Sequence, residues 1–393
     1  MKILAVSTLP PHRGGSAVSS ALLLRGFAAA GHTVRVLAPI AADAAAAPDP
    51  FAAAHPEIAV TRFPVPFDEV APNLPGAAEY RRIERERIGA LLPELIARQR
   101  PDVVFMGRET FAWDVPDIAQ RHGVPVVLRT AGAMTLGMLH GTLPEAEVEY
   151  LFGQYRKADL IICPARHLAA RLEPFGFDNV RVIWNAVDAQ HFAPREKDPQ
   201  LARTLELAPG DVVVAHVSNL KSLKRPLDVI DAAELALRCN PRLVFVVVGQ
   251  GPVGAAMQVA CEEKGIADRF RFVGWIDHDR VADFLNLTDV VVMPAEDETQ
   301  ARVYLETQAC GRVLLASDIA AAREVITDGE TGVLFRKGEP ADLASRLLHL
   351  AERPALRAAI GSQARARIAA HALPAIVAEY LDALAGVAVA TRG

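Results

Sequence analysis

Seven residues separate Glu298 from Glu306 in the stretch Met293-Pro294-Ala295-Glu296-Asp297-Glu298-Thr299-Gln300-Ala301-Arg302-Val303-Tyr304-Leu305-Glu306. An all-apolar run, Val290–Met293, comes just before, and the residues from Val303 to Cys310 have the pattern of a helix. The spacing therefore puts Glu298 at the carboxyl end of a buried parallel strand, where open α/β sheets hold their ligands. Ala301 and Arg302 fall where the next helix begins, and its first amides form a natural anion site. Glu306 follows one turn later and reaches the same ligand. Amides suit a phosphate and carboxylates suit hydroxyls, so the pattern fits a phosphorylated sugar.

Two further loops carry chemistry. After the apolar run Val212–Val217 comes Ser218-Asn219-Leu220-Lys221-Ser222-Leu223-Lys224-Arg225-Pro226. A cationic cluster at a strand end is what a departing diphosphate requires. The amino-terminal strand Ile3–Val6 runs into Pro10-Pro11-His12-Arg13-Gly14-Gly15-Ser16, just before a helical pattern. Gly14 and Gly15 let backbone approach a ligand closely, with Ser16 as a candidate helix cap.

Alternating strands and helices must position these loops. Strands are expected at Ile3–Val6, Val34–Ala38, Val103–Met106, Val126–Leu128, Leu160–Cys163 and Val180–Trp184. A second set runs Val212–Val217, Leu243–Val248, Phe270–Val273, Val290–Met293, Val313–Ser317 and Gly332–Phe335. Short apolar runs flanked by helices such as Ser16–Ala30 and Tyr80–Arg98 predict parallel sheets buried on both faces. Two sets predict two Rossmann-like, doubly wound α/β domains. The polar, proline-containing segment Ala189–Gly210 is the expected boundary region. The resulting division is 1–190, 191–372 and a final helical segment 373–393, whose residues Ile376, Val377, Tyr380, Leu381 and Leu384 form an apolar face after Pro374.

Composition narrows the class. A chain of 393 residues with 51% hydrophobic content can bury two cores, and a net charge of −5 gives no basic nucleic-acid surface. Cys163, Cys239, Cys261 and Cys310 show no metal spacing and are expected to be buried thiols in a reducing, cytoplasmic setting. No uninterrupted apolar stretch of about 20 residues suggests a spanning helix, so membrane contact is expected to be peripheral at most.

Several segments together resemble the retaining, nucleotide-sugar-dependent glycosyltransferases of family four. Pro294, Glu298, Glu306, Ala309 and Gly311 match the paired-glutamate signature of that family, although Thr299-Gln300-Ala301 replaces its Gly-Phe-Gly. Lys224 matches the diphosphate-binding lysine, while Asn219 stands where an arginine is usual, leaving Lys221 or Arg225 to supply the charge. Gly31-His32-Thr33-Val34, Asn185-Ala186-Val187-Asp188, Gly249-Gln250-Gly251-Pro252, Phe272-Val273-Gly274-Trp275-Ile276 and Asp328-Gly329-Glu330-Thr331-Gly332 match further motifs in the family's order. The resemblance implies a glycosyltransferase-B fold, with two Rossmann-like domains facing a central cleft, the acceptor on the first and the donor on the second. It implies Lys224 on the diphosphate and Glu298 on the donor sugar as the catalytic pair. Glu306 would hold the ribose and Trp275 and Ile276 would lie at the base. Gly14, Gly15, Asn219, Lys221, Ala301 and Arg302 would make the remaining donor contacts.

One departure falls near the reacting sugar. The family carries a histidine after its Pro-Val-Val strand; here Pro125-Val126-Val127-Leu128-Arg129-Thr130 places Thr130 there. Arg129 and Thr130 are candidates for sugar or acceptor contacts, and His140 is either a third or an ordinary loop histidine. Asp277-His278-Asp279 and Glu296-Asp297-Glu298 resemble metal motifs, but the first suits helix capping and neither has a third ligand, so no metal and no other cofactor is expected. The reading is a hexosyl-type transferase that retains configuration. It would use a UDP- or GDP-sugar and an acceptor that is a lipid-linked glycan, a glycolipid or a small molecule. A sugar-nucleotide-binding scaffold or regulatory subunit and a nucleotide-sugar 2-epimerase are the alternatives.

Overall fold

A computed structural model describes residues 1–67, 77–130 and 133–390. The chain divides into two compact units: Met1–Ala186 with Leu373–Gly393, and Val187–Ala372.

The first unit is built on a parallel sheet of seven strands among the described residues. These are β1 (Lys2–Val6), β2 (Thr33–Ala41), β3 (Ala59–Val65), β4 (Val103–Met106), β5 (Val126–Arg129), β6 (Leu160–Cys163) and β7 (Val180–Val182), in the order β3-β2-β1-β4-β5-β6-β7. Ile3 pairs with Val34 on one side and Val103 on the other, so β1 is central and apolar throughout its core. No strand was expected between Val34–Ala38 and Val103–Met106, where the structure has β3. Phe63–Val65 ends β3, Ala77–Tyr80 begins the helix Ala77–Gln99, and residues 68–76 lie outside the described residues. β3 pairs only with β2, and an edge strand tolerates Thr61, Arg62 and Pro64, which hide the usual apolar signal.

The helix Leu373–Ala390 belongs to this unit. Its residues Ile376, Val377, Tyr380, Ala383, Leu384 and Ala388 are buried. Tyr380 sits 6.2 Å from Phe27 and 6.0 Å from Phe105, ring to ring. Gly26 sets the approach of the helix Gly15–Ala29, because a Cβ there would lie 2.3 Å from Val377 Cγ2. By length and composition alone the final helix is apolar enough to cross a membrane, with Glu379 and Asp382 as its charges. Its buried face is here part of the first unit's core.

The second unit holds β8 (Val212–Val217), β9 (Leu243–Val248), β10 (Phe270–Gly274), β11 (Val290–Met293), β12 (Val313–Ser317) and β13 (Val333–Phe335), all parallel, in the order β10-β9-β8-β11-β12-β13. The order reverses between β8 and β11. Their carboxyl-end loops therefore diverge around a crevice, which is where ligands bind in such sheets. Val187 donates its amide to the His371 carbonyl at 2.9 Å, so the chain enters and leaves this unit side by side. Arg365 clasps that entry by donating to the carbonyls of Ala189, Phe192 and Ala309. Three cysteines, Cys163, Cys261 and Cys310, are buried, and burial pushes each thiol up to about 12. Cys239, expected to be buried, is exposed because it ends the helix Leu227–Cys239 on its solvent side.

His216 is a polar residue buried inside β8. Its Nδ1 lies 2.9 Å from the Val292 carbonyl of β11, which makes Nδ1 the donor. Nε2 then accepts from Ser218 Oγ at 2.8 Å, and Ser218 Oγ accepts from the Leu220 amide at 3.0 Å. This chain of bonds spans the β8–β11 seam and starts the loop after β8. Burial lowers the His216 pKa from 6.5 to about 4; the Val292 bond opposes this and Lys224 adds to it.

Two outcomes follow. Gly26→Ala will destabilise the first unit by about 1–3 kcal/mol through overpacking. In a Val377→Ala background the same change will cost less, as a urea-denaturation cycle will show. For His216, the unfolded chain binds the proton more readily than the folded one. Its contribution is complete above pH 6.5 and is lost as pH falls toward 4. Between pH 7 and 4.5 the wild type will lose roughly 2–3 kcal/mol more than His216→Asn in urea melts.

Candidate functional site

The loop after β8 is held in an unusual backbone shape. Leu220 and Arg225 have φ of 42° and 47°, left-handed values that side-chain-bearing residues seldom adopt. Packing compensates: Leu220 is 2% exposed and its carbonyl accepts from the Val253 amide at 3.0 Å. The glycine turn after β9 lies directly against this loop. A Cβ on Gly249 would sit 1.8 Å from the Ser218 carbonyl oxygen, and one on Gly251 1.8 Å from that of Asn219. The Gly249-Gln250-Gly251-Pro252 motif is thus a requirement of close backbone approach.

The loop after β11 joins it. Glu296 donates its amide to the Leu223 carbonyl at 2.8 Å, and its carboxylate accepts from Lys337 at 2.8 Å and Arg225 at 3.0 Å. The bond from Lys337 leads the effects that hold this carboxyl below its usual range, and Arg225 adds to it. Arg225 also makes a paired contact with Asp228, at 2.8 and 3.1 Å. That guanidinium is committed to carboxylates, which leaves Lys221 as the candidate for the charge missing at Asn219. Lys224 Nζ and Glu298 Oε1 form an ion pair, with Glu298 6% exposed. The sequence-derived catalytic pair is therefore in direct contact.

Glu306, 3% exposed, lies on the helix Arg302–Ala309, one residue earlier at each end than the sequence suggested. Its Oε1 accepts from His278 Nε2 at 2.8 Å and from Arg302 Nη2 at 2.9 Å. Burial pushes this carboxyl up, but the charges and hydrogen bonds of Arg302 and His278 outweigh it and hold the pKa at about 2. Ala301 caps the helix without a side-chain hydrogen bond. The first amides of the helix accordingly point out of its end with no side-chain cap. Trp275, exposed, and Ile276, half-buried, follow β10.

The two motifs that resemble metal sites resolve differently. Glu296 is taken by Arg225 and Lys337, and Asp297 Oδ1 accepts from the Glu298 amide at 2.8 Å. The helix His278–Leu287 starts after Asp277, whose side chain makes no capping bond. Among the described residues no group of three His, Cys, Asp or Glu side chains is placed to hold a metal ion.

In the first unit, Gly14 caps the helix Gly15–Ala29 with φ of 115°, and a Cβ there would meet nothing within 4 Å. Arg129 is buried and bonds to Ser19 Oγ at 2.5 Å, Asn185 Oδ1 at 2.7 Å and the Gly107 carbonyl at 3.3 Å. It clamps β5 to the chain around it. Thr130 is fully buried and its hydroxyl donates to the Ile162 carbonyl at 3.2 Å. His140 is exposed just past the helix Ala133–Leu139.

Sequence reasoning passed over His216, His278 and Glu109. His278 was read only as the middle of an aspartate motif. Glu109 is a buried carboxylate just past β4, accepting from the Met134 amide at 3.2 Å. Its signal was the position of an acid at the end of an apolar strand.

Comparison with known proteins matches two family profiles. Residues 13–191 match "Glycosyltransferase Family 4" and residues 198–367 match "Glycosyl transferases group 1". Among curated relatives, a D-inositol 3-phosphate glycosyltransferase of Thermomonospora curvata is 31% identical over 61% of this chain and 60% of its own length. Another from Nocardiopsis dassonvillei is 32% identical over 67% and 65%. The match therefore spans under two thirds of the length of these relatives. Among solved structures, sucrose-phosphate synthase from Thermosynechococcus elongatus gives a TM-score of 0.83 at 19% identity, over 99% of this chain and 100% of that one. Anabaena HepE in complex with UDP and glucose gives 0.77 at 19% identity, over 98% and 99%. The solved structures show a glycosyltransferase-B fold, and the two profiles, which between them take in most of residues 13–367, establish that the chain belongs to the group 1, family four glycosyltransferases.

Proposed function

We propose that this protein transfers a hexosyl-type sugar from a nucleotide-diphosphate sugar to an acceptor, with retention of configuration. The observation that carries the reading is the Lys224–Glu298 contact at the strand-order reversal, beside uncapped helix amides and the ionised Glu306. Lys224 binds the diphosphate, sharing its charge between Glu298 and the phosphates. The amides of Ala301 and Arg302, with Lys221 and Asn219, complete the phosphate contacts. Glu298 accepts from donor-sugar hydroxyls, Glu306 accepts from the ribose, and Trp275 and Ile276 flank the base. Gly14 and Gly15 give backbone access, and Thr130, Arg129 and His140 lie in the unit to which we assign the acceptor.

In the reaction the bond from the sugar's anomeric carbon to the β-phosphate oxygen breaks. The acceptor oxygen bonds to the same face of that carbon, and its proton passes to the departing phosphate. Charge grows on the diphosphate as the bond breaks, so a fixed cation lowers the barrier most at that moment. UDP is the favoured nucleotide because the HepE structure holds UDP and glucose, with GDP as the second choice. The name of the curated relatives favours a phosphorylated cyclitol acceptor, a small molecule, over a lipid-linked glycan. We assign the reaction to the cytoplasm.

Turnover of a panel of UDP- and GDP-sugars, with inositol phosphate as acceptor, tests the reading. Transfer or slow donor hydrolysis supports it; a 2-epimer product would make the protein an epimerase, and saturable binding without chemistry a scaffold. Lys224→Ala will lower kcat with the active donor by roughly 10²-fold or more. Lys221→Ala will lower it less. Small and equal losses in side-by-side steady-state kinetics would mean that this loop does not serve the leaving group.

A further inference from the structure

Glu306 is held from two directions. Arg302 reaches it from one turn earlier on the same helix, and His278 reaches it from the start of another helix, directly after the Trp275–Ile276 loop. Both bonds end on Oε1. Because its partner is a carboxylate oxygen, His278 Nε2 is the donor, and its ring is in turn packed 5.2 Å from the Phe192 ring. A buried carboxylate with a single anchor would rotate between rotamers. Two donors on one oxygen fix the plane of the group and leave the orientation of Oε2 determined.

We propose that His278 and Arg302 are positioning residues for donor recognition: they lock Glu306 so that Oε2 is presented to the ribose hydroxyls. His278 also ties the segment that flanks the base to the carboxylate that reads the ribose, so the two halves of the nucleoside are registered by one imidazole. This inference rests on the assignment of Glu306 to the ribose, and it assigns roles to two side chains that bind Glu306 rather than the ligand.

The experiment is calorimetric titration of UDP and GDP, followed by the 2′,3′-dideoxy form of whichever binds more tightly. The readout is the ratio of the two dissociation constants, which reports the ribose hydroxyls alone and is insensitive to a general loss of binding. Wild type will favour the hydroxylated nucleotide by about 10-fold or more, and Glu306→Ala will reduce that preference to about 2-fold or less. His278→Ala and Arg302→Ala will each shrink it by about 3-fold or more, while His278→Gln and Arg302→Lys, which keep a donor, will restore part of it. Far-ultraviolet circular dichroism and thermal melts identify any variant that fails to fold, and the conservative pair then carries the comparison. Two failures are distinguishable. A full preference retained in Glu306→Ala removes the ribose assignment itself. A preference lost in Glu306→Ala but unchanged in all four His278 and Arg302 variants leaves that assignment standing and overturns the positioning role.

Discussion

The inner strands of both sheets are buried on two faces, and this constraint governs where chemistry can occur. Val290–Met293 and Leu243–Val248 are buried at every position, so a ligand-binding group on those strands would have to be desolvated with a partner. Polar function is pushed to the carboxyl ends. There the reversal of strand order between β8 and β11 separates two loops that would otherwise be roofed by a crossover helix. His216 is a polar residue within such a strand, and it obeys the same rule. It is neutral, bonded at both nitrogens, and its bonds hold the seam and the loop after β8 together.

The charged groups at these strand ends do not stand alone. Lys224 pairs with Glu298, Arg302 and His278 with Glu306, and Arg225 links Asp228 to Glu296, which Lys337 also contacts. Removing one partner from such a pair strands a charge in a poorly solvated place, which costs more than the pair contributes. The same wiring suits diphosphate chemistry. A cation shared with a carboxylate is already oriented, and phosphate oxygens can take over part of its coordination without a large rearrangement. Thr299, Gln300 and Ala301, which replace the Gly-Phe-Gly of the family signature, are all buried, so they fill volume as well as shape the turn.

Much of this was legible in the residues. Apolar runs of four to six residues betray strands buried on both sides, and their alternation with helical patterns leaves few topologies. The strand-end placement of Lys224, Glu298 and Glu306 came from the same reading, and the structure brings Lys224 and Glu298 into contact. Edge elements were harder. Ala59–Val65 lacks the apolar signal because one side of an edge strand needs no partner, and Cys239 reads as helical without revealing which face it occupies.

Local sequence determined the elements, the loops at their ends and the types of charge those loops carry, because hydrophobic period and turn chemistry act within a few residues. Partnership was decided only by the tertiary structure. Nothing near His278 announces Glu306, 28 positions away, and nothing near Gly249 announces the Ser218 carbonyl it must admit. Arg225 looked as available for a phosphate as Lys221 until Asp228 and Glu296 were found on it. The physical reason is that an ion pair or a close backbone approach depends on distances of a few ångströms between segments remote in sequence, and only the packing of helices on the sheet sets those distances.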